Sequence, residues 1–231
     1  MQRRKFTSGV GVAGLLAAVP WAADASLRSL TESDAAAGIR TALERGAIAA
    51  VGLLGRTDGF LGNPKVRIEL PGFLNDAARF LKATGQQRRV DELVTAMNRA
   101  AEAAVPEART LLVNAVKSMS VEDAKNILTG GDDSATQFFA GKTREPLSQR
   151  FLPIVTRATQ KVSLADKYNA VAGKASALGL LKKDEANVQQ YVTTRALDGL
   201  YLVIGEEEKK IRQDPVGTGS AILKKVFGGL R

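Results

Sequence analysis

SVEDAKNILTGGDDSATQFFAGKTREPLSQRFLPIVTRATQKVS, residues Ser120 to Ser163, carries three helix-start signals and two glycine stops in one run. Ser120 followed by Asp123 is an acidic capping box. The hydroxyl can accept the Asp123 N–H while the carboxylate reaches back to the Ser120 N–H. The pair predicts a short helix from Val121 with Ala124, Ile127 and Leu128 on one face, stopped by Gly130-Gly131, since glycine takes a left-handed C-cap without steric cost. Ser134 with Gln137 predicts the next start, and Gly141 predicts its end after Phe138 and Phe139. Thr143 predicts a third start, with Glu145 and Pro146 in a first turn that has no use for the missing proline N–H. Leu147, Phe151, Leu152, Ile154 and Val155 would be its apolar face, bent or tightened at Pro153.

The same stretch holds the densest set of polar groups. Asp132, Asp133, Lys142, Arg144, Glu145 and Arg150 are expected near one helix junction, where they could bind a ligand or partner. The alternative is local. Acids favour helix N-termini because of the backbone dipole, and the bases can be solvated or paired nearby. Asp132, Asp133 and Glu145 could hold magnesium or calcium. Gly130-Gly131 before a helix could offer N–H groups to an anion, although two adjacent carboxylates oppose that.

Working outward, helical spacing recurs almost everywhere. A helix from a Thr31/Asp34 start to Leu54 turns Ile39, Leu43, Ile48, Val51 and Leu54 inward. Leu74–Ala83 ends at Gly85, and Val90–Ala104 follows. Pro106 kinks that helix or opens the next, which carries Leu111, Leu112, Ala115, Val116 and Met119. Ser163 with Asp166 starts a helix stopped by Gly179, and Asp184 or Asn187 starts the longest one, to Arg212 before Asp214-Pro215. In it Glu206–Glu208 precede Lys209, Lys210 and Arg212, the favourable order for pairs four apart. Ser220–Phe227 is expected to be a last amphipathic helix. Only Val66–Leu70, between Asn63-Pro64 and Pro71, alternates apolar and polar. With no partner strand in view it is expected to be an extended crossover laid across helices. The expected fold is therefore all-α: a single multi-helix bundle over residues 26–231 with one strand-like crossover near 65–70.

Composition excludes more than it assigns. The chain has 231 residues, 45% hydrophobic and 25% charged, with no histidine and no cysteine. Thiol nucleophiles, Ser-His-Asp triads, histidine metal sites and disulfides are excluded. Neither a Walker loop nor a Rossmann glycine fingerprint, calcium-hand loop or serine elbow is present. No catalytic residue, metal or cofactor is assigned. Met1–Ala25 has the form of a leader: Arg3-Arg4-Lys5, an apolar Gly9–Val19, and Ala23-Asp24-Ala25 as a small-x-small cleavage site. Arg3-Arg4-Lys5-Phe6 also resembles a twin-arginine signal, and the ordinary secretion route stays open. The expected localisation is periplasmic, without a transmembrane span in the mature chain. Cleavage after Ala25 would leave 30 bases against 23 acids, so the net charge falls from +9 to +7. That charge suits an anionic lipid or polymer. It is dispersed in pairs such as Arg88-Arg89 and Lys209-Lys210, without the basic block that would suggest nucleic acid.

Several segments together carry a resemblance. GGDDSATQFFAGKT followed by PLSQRFLPIV resembles the core of the DUF4197 family. So do Gly62-Asn63-Pro64 leading to Ile68-Glu69-Leu70-Pro71, Tyr191-Val192-Thr193 with Ala196-Leu197-Asp198-Gly199-Leu200, and Glu206–Arg212 with Asp214-Pro215. The resemblance spans Leu30–Arg231. It implies a bacterial, exported helical domain and transfers no site residues. Three functions are compatible: a binding or accessory protein of the cell envelope, with an envelope protein, lipid or anionic polymer as partner; a histidine-free hydrolase or lyase working through carboxylates; and a structural protein bound to anionic lipid or polymer.

Overall fold

A computed structural model of the chain describes residues 32–179 and 187–214. The leader Met1–Ala25, the Thr31 cap, Lys182-Lys183, Asp184, Pro215 and the Ser220–Phe227 helix with Lys224-Lys225 lie outside the described residues. Among the described residues eight α-helices follow in order: α1 (Glu32–Leu54), α2 (Asn75–Ala83), α3 (Gln87–Ala104), α4 (Ala108–Lys117), α5 (Val121–Thr129), α6 (Ser134–Thr159), α7 (Ser163–Ala177) and α8 (Val188–Gln213). Among the described residues there is no strand. The fold is an all-α bundle.

α6 and α8 form the most extensive helix pair, α3 lies along α6, and α1 packs on α8 and α4. One continuous core joins them, with Phe60, Met97, Leu112, Phe139, Leu147, Phe151 and Leu200 fully enclosed. Small residues let the helices approach closely: Ala50, Ala100, Ala101, Ala104, Ala108 and Ala196 are completely buried.

The capping box at Ser120 is present. Ser120 Oγ accepts the Asp123 N–H at 3.0 Å, and Asp123 Oδ2 accepts the Ser120 N–H at 2.9 Å. The two later starts are corrected. Ser134 is the first residue of α6 and not its cap, since its hydroxyl donates to Ile127 O and Gly131 O. Gly141 does not end the helix, and Thr143 does not begin another; residues 134–159 are one helix enclosing Pro146 and Pro153. The reason lies in the buried positions: Ala135, Phe139, Thr143, Leu147, Phe151, Val155 and Thr159, every fourth residue. At 3.6 residues per turn each step of four advances about 40°, so the stripe winds around the helix and serves α8, α3 and α4 along its length. Both prolines cost one helical hydrogen bond each. The carbonyls left without that donor belong to Lys142 and Gln149, exposed positions where water can replace it.

The crossover begins in a turn over residues 64–66, where the Val66 and Arg67 N–H groups donate to Asn63 O at 3.1 and 2.8 Å, and residues 67–71 then run without regular secondary structure. In place of a partner strand, Asn98 on α3, fully buried, accepts the Ile68 N–H through Oδ1 at 2.8 Å and donates to Ile68 O through Nδ2 at 2.8 Å. Tyr191 OH on α8 donates to Glu69 O at 2.9 Å. Side chains thus satisfy backbone groups that a sheet would otherwise pair.

Candidate functional site

The six polar residues singled out around α6 do not meet in one place. Asp133 and Arg150 stand about 25 Å apart along α6, at roughly 1.5 Å per residue. Asp132, Asp133, Lys142, Glu145 and Arg150 are exposed. Asp133 accepts Gln137 Nε2 at 2.8 Å and Glu145 accepts Gln149 Nε2 at 3.3 Å, both one turn away on the same helix. Lys142 contributes, behind the Ser120 hydrogen bonds, to holding the Asp123 carboxyl below its ordinary range. Asp132, Asp133 and Glu145 do not converge, and among the described residues no group of three or more acidic side chains is placed to hold a metal ion. Arg144 alone joins a long-range network. It donates to Asp198 Oδ1 on α8 at 2.9 Å and lies 4.9 Å from the Tyr201 ring centre.

The start of α6 is occupied from within. Glu208 on α8, only 4% exposed, accepts the Ala135 N–H at 3.0 Å and the Thr136 N–H at 2.9 Å. Arg212 donates to the same carboxylate at 2.9 Å and also to Ile127 O and Ser134 Oγ. The anion suited to this helix N-terminus is thus a side chain of the protein. In sequence Glu208 looks like one of three surface acids; only the fold shows that it is buried while Glu206 and Glu207 pair outward with Lys65 and Lys210.

Two concave features lie beside the crossover. The first is an apolar groove of about 240 Å³ between the end of the crossover, α2, α3 and α7. Leu70, Leu74, Leu93 and Tyr168 form its depth, Phe80 and Val171 its exposed edges, and Lys167 is the one charged side chain lining it. Phe80 is 68% exposed and Val171 50%. The second is a cleft of about 350 Å³ between residues 65–68 and α8, with Lys65, Arg67, Arg195 and Asp198 around Val66, Ile68 and Leu202. A run of rings separates them: Phe73 and Tyr168 centres are 6.0 Å apart, and Tyr168 and Tyr191 6.4 Å.

The family model for a protein of unknown function, DUF4197, matches residues 29–228. The chain belongs to the DUF4197 family. No curated protein and no solved structure matches it. In this DUF4197 chain the segments that carry the family resemblance are far apart in sequence yet adjacent in space. Gly62–Pro71 forms the loop and crossover, and Tyr191–Leu200 is the face of α8 on which the crossover rests. Gly199 shows why a glycine stands there. A Cβ would sit 2.8 Å from Phe60 Cε1, closer than packed carbons tolerate, and a tight 3.2 Å from Val66 Cβ. No signal in the sequence singled out Phe80, Asn98, Glu102 or Arg195, because each acquires its role from a segment at least 30 residues away or from the groove it borders.

Proposed function

We propose that this DUF4197 protein is exported to the periplasm and acts as a binding or accessory protein of the cell envelope, holding one acyl chain in the groove between α2, α3 and α7. The groove carries the proposal. Its lining is apolar apart from Lys167, and its edges leave Phe80 and Val171 in water. Apolar side chains clustered around a concavity, unlike isolated exposed ones, mark interaction sites. A volume of about 240 Å³ lies just below the range that encloses drug-sized ligands, which suits one chain. Lys167 at the lining suits an acidic head on that chain. Export is supported by the form of Met1–Ala25, and among the described residues no helix is long and apolar enough to cross a membrane.

The test is native mass spectrometry of the protein recovered gently from periplasm. The expected spectrum shows a mass reduced by residues 1–25 and an added species, identified after denaturation as a single-chain acidic lipid or fatty acid. Phe80→Glu, at an exposed position, should remove that species without lowering the melting temperature. A bare mass for the unaltered protein would sink the carrier function, a mass still containing residues 1–25 would sink the leader cleavage, and absence of the protein from the periplasmic fraction would sink the export.

A further inference from the structure

We infer that the second cleft, between the crossover and α8, binds an organic anion, a carboxylate or phosphate monoester carried on a small apolar body. This site is independent of the acyl-chain groove. Arg67 on the crossover and Arg195 on α8 both line it, and each has contacts within the protein that order it. Arg195 on α8 lies 5.3 Å from the Tyr191 ring centre, and that ring is anchored by the hydrogen bond from Tyr191 OH to Glu69 O. Arg67 on the crossover donates to Leu61 O at 3.0 Å. Planar guanidinium forks match the geometry of carboxylate and phosphate oxygens, and prior ordering removes much of the entropy cost of capture. Lys65 adds a third positive charge against the single carboxylate of Asp198 in the lining.

Acids do touch these bases. Glu69 pairs with Arg67 and Glu206 with Lys65, with 63% and 37% of their side chains exposed. Asp198 lies 2.9 Å from Arg144 and 3.8 Å from Arg195. Exposed ion pairs are weak and exchange partners readily, so an incoming anion can replace Glu69 and Glu206 at little cost. Arg144, stacked on Tyr201, holds Asp198 Oδ1, so only Oδ2 of that acid is shared with Arg195. Val66 and Ile68 form an apolar floor and Leu202, 45% exposed, an apolar edge. An inorganic ion would leave that edge wet, and a neutral apolar molecule would make no use of the cationic donors in the lining; a small organic anion uses both. A free metabolite and the head of a lipid present the same oxygens, and the two arms of the test below distinguish them.

Titration of the full chain with phenyl phosphate and benzoate, followed by amide NMR, tests this. Phenol is the neutral control, and vesicles of phosphatidylglycerol against phosphatidylcholine form the lipid arm. Saturable binding of at least one soluble anion or of the anionic vesicles is expected, with shifts at Val66, Ile68 and Leu202. Arg67→Gln with Arg195→Gln should weaken it at least tenfold with an unchanged melting temperature. Lys117→Gln with Lys209→Gln, equal in charge but elsewhere on the surface, should not. Binding of the soluble anions assigns the free source, and binding of vesicles alone assigns the lipid source. No binding in either arm, equal binding of phenol, or equal weakening by the two double variants would overturn the assignment. If the Arg67/Arg195 pair alters melting, Leu202→Glu, which puts a negative charge at the exposed edge, should abolish binding in a normally melting protein; retained binding would overturn it equally.

Discussion

Glu208 and Arg212 show how much one buried pair can hold. Glu208 receives two backbone N–H groups of α6, the Thr136 hydroxyl and the Arg212 guanidinium. Glu208→Ala would strand Arg212, 16% exposed at its side chain, and leave the two amides without their acceptor. Breaking such a pair costs about 3–5 kcal/mol, which denaturant melts should show as a lowered midpoint at unchanged slope. A smaller loss is expected at Gly199→Ala, where the new methyl meets Phe60, itself fully buried. Overpacking costs about 1–3 kcal/mol, and Phe60→Leu in the same chain should recover part of it. Tyr201 supplies a pH signature. Burial pushes its hydroxyl above the ordinary tyrosine range, opposed by the hydrogen bond with Thr143 and by Arg144. A raised folded pKa means stability complete below the unfolded value near 10 and lost as pH rises through the folded one. The melting temperature of the unaltered protein should therefore fall more steeply above pH 10 than that of Tyr201→Phe; parallel curves would refute the assignment.

At the scale of elements, α6 holds the main discrepancy between local signals and structure. Gly141 and Thr143 are strong stop and start signals in isolation, yet the helix runs through both. Thr143 is buried because its hydroxyl donates to Phe139 O at 2.7 Å and bonds Tyr201 OH at 2.9 Å; it fills a core position and caps nothing. A Cβ on Gly141 would meet nothing within 4 Å. Gly141→Ala is thus expected to stabilise the protein by about 0.5–1 kcal/mol through helix propensity, and a loss would imply a break in the helix there. Ser120→Ala, by contrast, should cost about 1 kcal/mol as a lost cap. The Ser120 hydrogen bonds hold the Asp123 carboxyl below its usual range. Their contribution is accordingly present above the unfolded value near 4 and lost as pH falls through the lower folded one. The difference between Ser120→Ala and the unaltered protein should shrink below pH 4.

For the whole molecule, the crossover and the loop before it organise the surface. Residues 55–63 are tied down by Glu102, 5% exposed, which accepts the Phe60 and Leu61 N–H groups at 3.0 and 3.1 Å and Arg99 at 2.6 Å. Asp58, at φ 62°, is held by the same Arg99 at 2.8 Å. With loop and crossover anchored at Glu102, Asn98 and Tyr191, the cationic cleft lies on one side and the apolar groove on the other. Asn98→Leu removes both bonds to Ile68 and leaves two backbone groups buried and unsatisfied, at about 1–3 kcal/mol each. Hydrogen exchange at residues 66–70 should quicken in that variant before α3 responds.

The amino-acid sequence by itself determined the helical class, most helix boundaries, the Ser120 cap, the crossover and the family, because these rest on spacing, capping and turn chemistry within a few residues. It also excluded thiol and histidine chemistry by composition alone. Only the tertiary structure decided that α6 is one helix, since a stripe of every fourth residue finds continuous burial when α3, α4 and α8 surround it in turn. Only it moved the polar interest away from Asp132 and Asp133, exposed at the head of α6, to Arg67 and Arg195, 128 positions apart in sequence and brought to one cleft by the packing of the crossover on α8.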